Sequence, residues 1–226
     1  MFTRSSFVAG LRATIPIGLS IFAYGTVFGV LAGRAGLSLA ETSLMSGLVF
    51  AGSSQFAALT LWGAPLPIAT IIATTFVVNL RHLLLGAAIQ PYLAEVPLGR
   101  RLTAMFFLND ESWALTMGEL EAGNADGAFL LGSGIVSFIA WSSASVVGRL
   151  AGSIVRDPER LGLDFAFIAV MLALLAGMWR GRSDLAPWLV AALASLVIAR
   201  LVPGNWYILA GALAGSLWKA ARHVEA

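Results

Sequence analysis

The sequence has no cysteine, only two histidines and few charged residues. Without cysteine the chain has no disulfide, thiolate nucleophile or cysteine-ligated metal, and His82 and His223 are too few for an obvious metal cluster. We therefore predict no metal and no cofactor. Charged side chains make up 12% of the 226 residues, whereas a soluble domain carries about a quarter. A chain so poor in charge cannot cover a globular surface with polar groups.

Hydrophobic residues, in contrast, make up 58% of the chain. They come in long blocks, most of them near the roughly 20 residues that a helix needs to cross a bilayer. The sequence therefore predicts an all-α integral membrane protein, with residues 1–226 forming a single polytopic membrane domain. We expect Arg4 and Arg12 to lead into a first membrane helix and not a cleaved signal peptide. The apolar stretches are 13–33, 43–61, 66–89, 102–118, 127–152, 163–179, 185–202 and 204–219.

Positive charges bear on the topology, because loops rich in lysine and arginine stay in the cytoplasm. This rule predicts cytoplasmic positions for Arg4, Arg12, Arg100, Arg101, Arg149, Arg156 and Arg160. These positions agree only if one of the first three stretches does not cross, and residues 52–55 interrupt the second. We therefore predict about seven transmembrane helices, with one or more broken or re-entrant segments. The net charge of +2, spread over segment ends, gives no indication of nucleic-acid binding.

A weak internal similarity suggests an inverted repeat. "SGLVFAGSS" (46–54) and "SGIVSFIAWSS" (133–143) share a Ser-Gly-aliphatic-Val start and a later Ser-Ser pair. An odd number of crossings between them would invert the second copy in the membrane, an arrangement found in secondary transporters. The corresponding repeats would span about 13–100 and 101–185.

The first polar cluster is Gly52-Ser53-Ser54-Gln55, followed by Phe56. Backbone groups freed by a break cannot face lipid, so they must be buried in protein or line a wet cavity. Half-helix N-termini there would bind an anionic group. The alternative is a packing notch in which the serine hydroxyls bond back to their own helix.

The second cluster, in "FVVNLRHLLLG" (76–86), contains Asn79, Arg81 and His82. Polar groups within the membrane are costly and favour a substrate or proton path. A histidine suits proton coupling because its pKa lies near working pH. The alternative is that Arg81 anchors at the interface while Asn79 and His82 bond a neighbouring helix.

The third cluster, in "FFLNDESWALTMG" (106–118), contains Asn109, Asp110 and Glu111, with Trp113 on the same helix face as Asp110. Adjacent carboxylates within a membrane need water, a proton or a cation. They could bind a substrate ammonium or carry a proton. The alternative is a bridge from Arg81 to Asp110 or Glu111 that only joins two helices.

These clusters together resemble the AzlC family, the large subunit of branched-chain amino acid exporters. The resemblance rests on "FAGSSQFA" (50–57), "NLRHLLLG" (79–86), "NDESWAL" (109–115), Pro16, Phe28-Gly29 and "GLDFA" (162–166). Asn109 replaces the more common Thr or Ser of the family, and Val27 replaces a proline. The resemblance implies proton-driven export of branched-chain or similar hydrophobic amino acids across a bacterial inner membrane. It also implies a partner, a small four-helix AzlD-type membrane subunit.

On this hypothesis the substrate carboxylate meets Gly52, Ser53 and Ser54, with Gln55 and Asn79 nearby, and the ammonium faces Asp110 or Glu111. The apolar pocket would include Phe56 and Trp113, and His82, with Arg81, would carry the proton-coupled step. No nucleotide-binding motif is present, as expected of secondary transport. The other hypotheses are a non-transporting membrane sensor or scaffold subunit and an intramembrane enzyme. No Gly-x-Ser-x-Gly motif supports an enzyme.

Overall fold

The computed structural model describes residues 2–152, 172, 176, 179, 181–202 and 206–224, and every element among them is helical. The predicted stretch 163–179, "GLDFA", Arg156 and Arg160 lie largely or wholly outside these residues. The long helices are α1 (Arg4–Arg34), α8 (Gly127–Gly152), α9 (Leu185–Leu201) and α10 (Trp206–Val224). The short helices come in pairs: α2 (Leu39–Leu48) and α3 (Gly52–Thr60), α4 (Ile68–Asn79) and α5 (Arg81–Leu93), α6 (Leu98–Phe106) and α7 (Asp110–Glu121).

Four helical segments of the described chain are long and apolar enough to cross a membrane. They are Arg4–Arg34, Ile68–Leu93, Gly127–Gly152 and Arg182–Leu201. The predicted all-α membrane fold with broken segments is confirmed. The number of seven crossings stays a prediction.

Helices α1 and α8 pack in parallel along their whole length, and we call this pair the frame. Glycines let the two backbones approach closely, and a Cβ at Gly10 or Gly148 would clash with the backbone of the other helix. The facing pairs advance together along both helices: Gly10 with Phe129, Gly18 with Val136, Gly25 with Ala144 and Gly29 with Ser145. Both helices therefore begin on one side of the molecule, the Thr3 side, and end on the other, the Arg34 side.

The α2–α3 pair is a re-entrant hairpin that enters from the Arg34 side. Phe50, between the two helices, has a φ of 43°, a left-handed conformation rare for a bulky residue, and the chain turns back there. Successive side chains meet the frame in this order: Ser46 at Ser145, Phe50 at Phe138, Gln55 at Trp141 and Phe56 at Phe28. The hairpin thus runs from the Arg34 side down to the level of Phe138 and then back toward the Arg34 side. The second apolar stretch therefore does not cross.

The α6–α7 pair forms a second re-entrant hairpin, which enters from the Thr3 side. The contacts along it run in this order: Arg100 at Phe2, Phe107 at Gly134, Glu111 at Tyr24 and Asp126 at Thr3. Asn109 begins α7 with a capping box, in which its side chain accepts from Ser112 N. Phe138 packs against Phe50 at 5.0 Å and against Phe107 at 5.4 Å. The tips of the two hairpins therefore meet at the same level of α8.

Helices α4 and α5 form one span with a turn at Leu80, and this span runs antiparallel to the frame. Its last residue, Leu93, lies in a buried cluster with Leu130 and beside Phe2 on the Thr3 side. The loop containing Arg100 therefore lies on the same side as Arg4, as predicted. Arg149 lies on the opposite side, where its Nε donates to Leu37 O at 2.7 Å. The prediction that Arg149 shares a side with Arg4 is wrong, because this arginine fastens α8 to the loop after α1.

Helices α9 and α10 form an antiparallel pair. Gly211 approaches Ser195 and Gly215 approaches Pro187, and Lys219 pairs with the buried Asp184 at 3.0 Å. α10 also contacts α4. The similarity between 46–54 and 133–143 relates a stretch that contains a hairpin tip to one inside α8, and that repeat stays a prediction.

Candidate functional site

A polar cavity lies where the two hairpin tips meet α1, α8 and the turn between α4 and α5. Its free volume for water-sized molecules is about 40 Å³, which is room for two or three waters. The lining residues are Ile21, Tyr24, Phe50, Ala51, Gly52, Ser53, Arg81, His82, Asn109, Asp110, Glu111 and Trp141. All three polar clusters of the sequence thus contribute to one site.

Arg81 bridges the two hairpins across this cavity. Its Nη1 lies 2.7 Å from Asp110 Oδ2 at the tip of α6–α7, and its Nη2 donates to Ser53 Oγ at 2.6 Å at the tip of α2–α3. Arg81 Nε is buried and has no partner within the described part of the chain. The guanidinium therefore has one N–H donor that the described residues leave unsatisfied.

The tip of α3 is an uncapped helix N-terminus. Among the described residues, no side chain caps α3, and Gly52 and Ser53 line the cavity. Exposed N–H groups at a helix N-terminus favour negative charge. With Arg81 beside them, these groups make this wall of the cavity suited to a carboxylate.

The tip of α7 has the opposite character. Asn109 already caps this helix through Ser112, and Asp110 and Glu111 occupy its first turn. Tyr24 OH donates to Glu111 Oε1 at 2.8 Å, while Asp110 pairs with Arg81. This wall carries the carboxylates of the cavity and is suited to a cation.

Trp141 supplies much of the apolar surface and is held in place on several sides. Its ring stacks on Phe28 at 5.3 Å and lies 5.4 Å from Tyr24. Its Nε1 donates to Gln55 Oε1 at 3.1 Å, and the same oxygen accepts from Ala51 N. Gln55 is fully buried, so it positions Trp141 and the start of α3 from behind the cavity wall.

His82 lies on the cavity wall next to Arg81. Its Nδ1–H donates to Asn79 O at 3.3 Å, because a carbonyl can only accept. This tautomer leaves Nε2 as the acceptor. The imidazole is only partly buried, so a proton can reach it from the cavity.

Six of the predicted site residues line the cavity: Gly52, Ser53, Arg81, His82, Asp110 and Glu111. The other five lie elsewhere. Ser54, Gln55 and Phe56 are buried behind the wall, and the Ser54 hydroxyl bonds back to Ala51 O. Asn79 Oδ1 is buried without a partner among the described residues. Trp113 packs in the cluster on the Thr3 side, where its Nε1 donates to Leu85 O at 3.1 Å.

The site predictions missed the other six lining residues, which are Ile21, Tyr24, Phe50, Ala51, Asn109 and Trp141. A signal was available for two of them. A tyrosine or tryptophan far from a segment end needs a partner for its O–H or N–H, and Tyr24 and Trp141 both lie within apolar stretches. Ile21 has no such signal, because it is one aliphatic residue among many.

The fold and the cavity define a class: a polytopic helical membrane protein with a polar site enclosed between re-entrant segments. The chain belongs to the AzlC family, whose model, described as AzlC protein, matches residues 16–155. These residues include both hairpins, the α4–α5 span and most of the frame. Membership of this transport-associated family was predicted and is confirmed.

Three relatives show the extent of the likeness. The chain is 35% identical to an uncharacterized membrane protein of Archaeoglobus fulgidus over 213 residues, 93% of each chain. It is 28% identical to the branched-chain amino acid transport protein AzlC of Bacillus subtilis, over 95% of this chain and 85% of the relative. It is 26% identical to the inner membrane protein YgaZ of Escherichia coli, over 94% of this chain and 89% of the relative. No solved structure matches the chain.

These relatives and the four candidate spans confirm the predicted membrane location, and a bacterial inner membrane is consistent with both. The family is associated with transport. Within the described residues, no group of three metal-ligating side chains is present.

Proposed function

We propose that this protein is a secondary transporter subunit that exports branched-chain or similar hydrophobic amino acids, driven by the proton motive force. One observation carries the proposal: the cavity pairs an anion-binding wall with a cation-binding wall. An amino acid zwitterion has this charge pattern. The name of the Bacillus subtilis relative, a branched-chain amino acid transport protein, supports the same substrate class.

The substrate carboxylate would bind at the N-terminus of α3. Gly52 and Ser53 offer N–H groups there, and Arg81 adds a guanidinium with a free Nε donor. Ser54 and Gln55 would act from behind the wall, by holding the helix start and Trp141. Charge-assisted hydrogen bonds of this kind are about twice as strong as neutral ones.

The substrate ammonium would bind between Asp110 and Glu111 at the tip of α7. Tyr24 orients the Glu111 carboxylate, because its hydroxyl donates to Oε1. The apolar side chain would contact Ile21, Phe50 and Trp141, which line the cavity. Phe56 and Trp113 would then support the pocket without touching the substrate.

His82 is the residue that we propose for proton coupling. It lies on the cavity wall with Nε2 as acceptor, beside the Arg81–Asp110 pair. Protonation of His82 would add positive charge next to Arg81 and weaken its hold on the carboxylates. A small four-helix AzlD-type membrane subunit is the proposed partner, on the strength of the family.

The test is radiolabelled-leucine counterflow in proteoliposomes, with the chain alone and with the small subunit co-purified. We expect counterflow of leucine, isoleucine and valine in at least one of the two preparations. His82→Ala should keep counterflow, which needs only binding and exchange, but should lose accumulation driven by a pH gradient. Gln90→Ala is the matched control, because Gln90 is exposed on the same helix outside the cavity.

Two results would contradict the proposal. The substrate assignment fails if neither preparation exchanges any branched-chain amino acid. The role of His82 fails if His82→Ala accumulates leucine from a pH gradient as the unmodified protein does.

A further inference from the structure

The order of the elements contains a second, structural repeat. Helices α2 and α6 begin at Leu39 and Leu98, and α3 and α7 begin at Gly52 and Asp110. The spans that follow begin at Ile68 and Gly127. Each pair of starts is separated by 58 or 59 residues. Residues 39–93 and 98–152 therefore share one plan: a re-entrant hairpin followed by a span.

The two copies are inverted relative to each other. The first hairpin enters from the Arg34 side and its span ends on the Thr3 side, whereas the second hairpin and its span run the opposite way, as the contacts of Leu93 and Phe107 show. An inverted repeat places equivalent groups on either side of a pseudo-twofold axis in the membrane plane.

The cavity lies on this axis. Its lining contains residues at equivalent positions of the two copies: Ala51 and Asn109, Gly52 and Asp110, Ser53 and Glu111, and His82 and Trp141. This register of 58 or 59 residues differs from the 87-residue separation of the two similar sequence stretches.

The cavity is small in this structure, and the Arg81 and Asp110 side chains that line it are 35% and 41% exposed. About 40 Å³ of free space is too little for a leucine molecule, and Ile21 on its wall is only 2% exposed. Substrate entry therefore needs a part of the wall to move. Arg81 holds both hairpin tips at once, through Ser53 and Asp110.

The frame and the α2–α3 hairpin differ in how they could move, whereas the tip of α6–α7 packs closely on α8, since a Cβ at Gly134 would clash with the backbone of Phe107. The frame is packed backbone to backbone, since a Cβ at Gly29 or Gly132 would clash with backbone atoms of the other helix. The α2–α3 hairpin contacts α8 through side chains, including the Ser46–Ser145 hydrogen bond of 2.8 Å. A Cβ added at Gly47 of this hairpin would meet no atom of the described residues within 4 Å.

We propose that the two inverted hairpins are the two gates of the site, with α2–α3 opening toward the Arg34 side and α6–α7 toward the Thr3 side. Arg81 is the positioning residue that keeps both closed while the site is empty. A zwitterion replaces its contacts: the carboxylate takes Arg81 from Asp110, and the ammonium takes Asp110. This deepens the proposed function and rests on it.

Disulfide locks test the gate directly, because the chain has no cysteine of its own. Ser46→Cys/Ser145→Cys would join the α2–α3 hairpin to the frame, where the two hydroxyls lie 2.8 Å apart. Thr14→Cys/Ser133→Cys is the matched control within the frame, where the hydroxyls lie 2.7 Å apart. We expect oxidation to stop leucine counterflow in the first pair, with recovery on reduction, and to leave the second pair active. Full counterflow in the oxidised gate lock would overturn the proposal, as would an equal loss in the frame lock.

Thiol labelling gives a readout that does not depend on transport. Ile21→Cys places a thiol on the frame inside the cavity, and a membrane-impermeant maleimide would be added from one side at a time. We expect slow labelling from both sides, labelling from the Thr3 side alone in the oxidised gate lock, and labelling about tenfold faster with Arg81→Gln. If oxidation of the gate lock leaves labelling from the Arg34 side unchanged, the gate proposal is wrong. If the unmodified protein moves no leucine but labelling follows this pattern, the gates stand and the proposed substrate fails.

Discussion

The two re-entrant hairpins share a backbone design and differ in charge. Both place a helix N-terminus at the cavity, at Gly52 and at Asp110. In α3 the N-terminus is uncapped and neutral, whereas in α7 Asn109 caps it and two carboxylates follow. The same device therefore presents donors on one side of the cavity and acceptors on the other. A substrate with both charges can use both.

The largest effect is expected from Asp110→Asn, which removes the charge that distinguishes the second hairpin. Arg81 would lose its ion-pair partner, and a substrate ammonium would lose its acceptor. A hydrogen bond between a substrate ammonium and a charged acceptor is worth about 1.5–3 kcal/mol, so we expect leucine counterflow to fall about 30-fold. The control is Glu121→Gln, which removes an exposed carboxylate from the other end of the same helix. Equal activity in the two variants would show that Asp110 does not bind the substrate ammonium.

Gly29→Ala tests whether the frame is more tightly packed than the hairpins. A Cβ at Gly29 would meet Arg149 N at 2.6 Å, and overpacking of this kind costs about 1–3 kcal/mol. We expect a lower melting temperature in detergent. The matched controls are Gly47→Ala and Gly118→Ala, one in each hairpin, where the described residues leave open space around the added carbon. A similar loss at all three sites would remove the distinction between frame and hairpins.

Ser53→Ala tests how much the tip of the α2–α3 hairpin contributes to transport, for comparison with the Asp110 tip of α6–α7. It removes one hydrogen bond to Arg81 but leaves the N–H groups of α3 in place. The lost hydroxyl positions Arg81 and does not touch the substrate, so we expect a loss near the typical value of about 1 kcal/mol for one hydrogen bond. Counterflow should therefore fall about 3- to 10-fold, which is less than in Asp110→Asn. A larger loss in Ser53→Ala than in Asp110→Asn would show that the α3 wall of the cavity contributes more to transport than the α7 wall.

The smallest effects concern the caps themselves. Asn109→Ala removes the cap of α7 and should lower the free energy of unfolding by about 1 kcal/mol. Ala51→Ser supplies a cap to α3, whose N–H groups would then be shared between a hydroxyl and the substrate. We expect an increase in the KM for leucine with unchanged maximal rate. An unchanged KM would show that the substrate does not use this helix start.

Much of the site could be predicted from the sequence because polar residues are conspicuous among apolar ones. Arg81, His82, Asp110 and Glu111 were found in this way, and all four line the cavity. The break at Gly52–Gln55 was also predicted, since small and polar residues at the centre of an apolar stretch cannot face lipid. Ser54 and Gln55 carry the same signal, yet they bond to Ala51 and Trp141 behind the wall. Sequence cannot separate a group that faces a cavity from one that satisfies its own backbone.

The topology was harder to predict from the sequence, because an arginine near a segment end can either mark a cytoplasmic loop or make a structural contact. Arg100 lies on the side that the charge rule predicted, whereas Arg149 does not, since it donates to Leu37 O and packs on Gly33. One re-entrant stretch was predicted, in the second apolar segment. The second hairpin was hidden because 102–118 looks like a single apolar stretch with an acidic interruption.

The sequence alone determined that this protein is an all-α membrane protein of the AzlC family with three polar interruptions, because these properties depend on composition and local order. Only the tertiary structure decided that the interruptions meet in one cavity, that two of them are the tips of opposed hairpins, and that Arg81 joins both. Those facts depend on distances between residues far apart in the chain. Ser53 and Arg81 are 28 residues apart and form a hydrogen bond only because the chain reverses direction between α3 and α4.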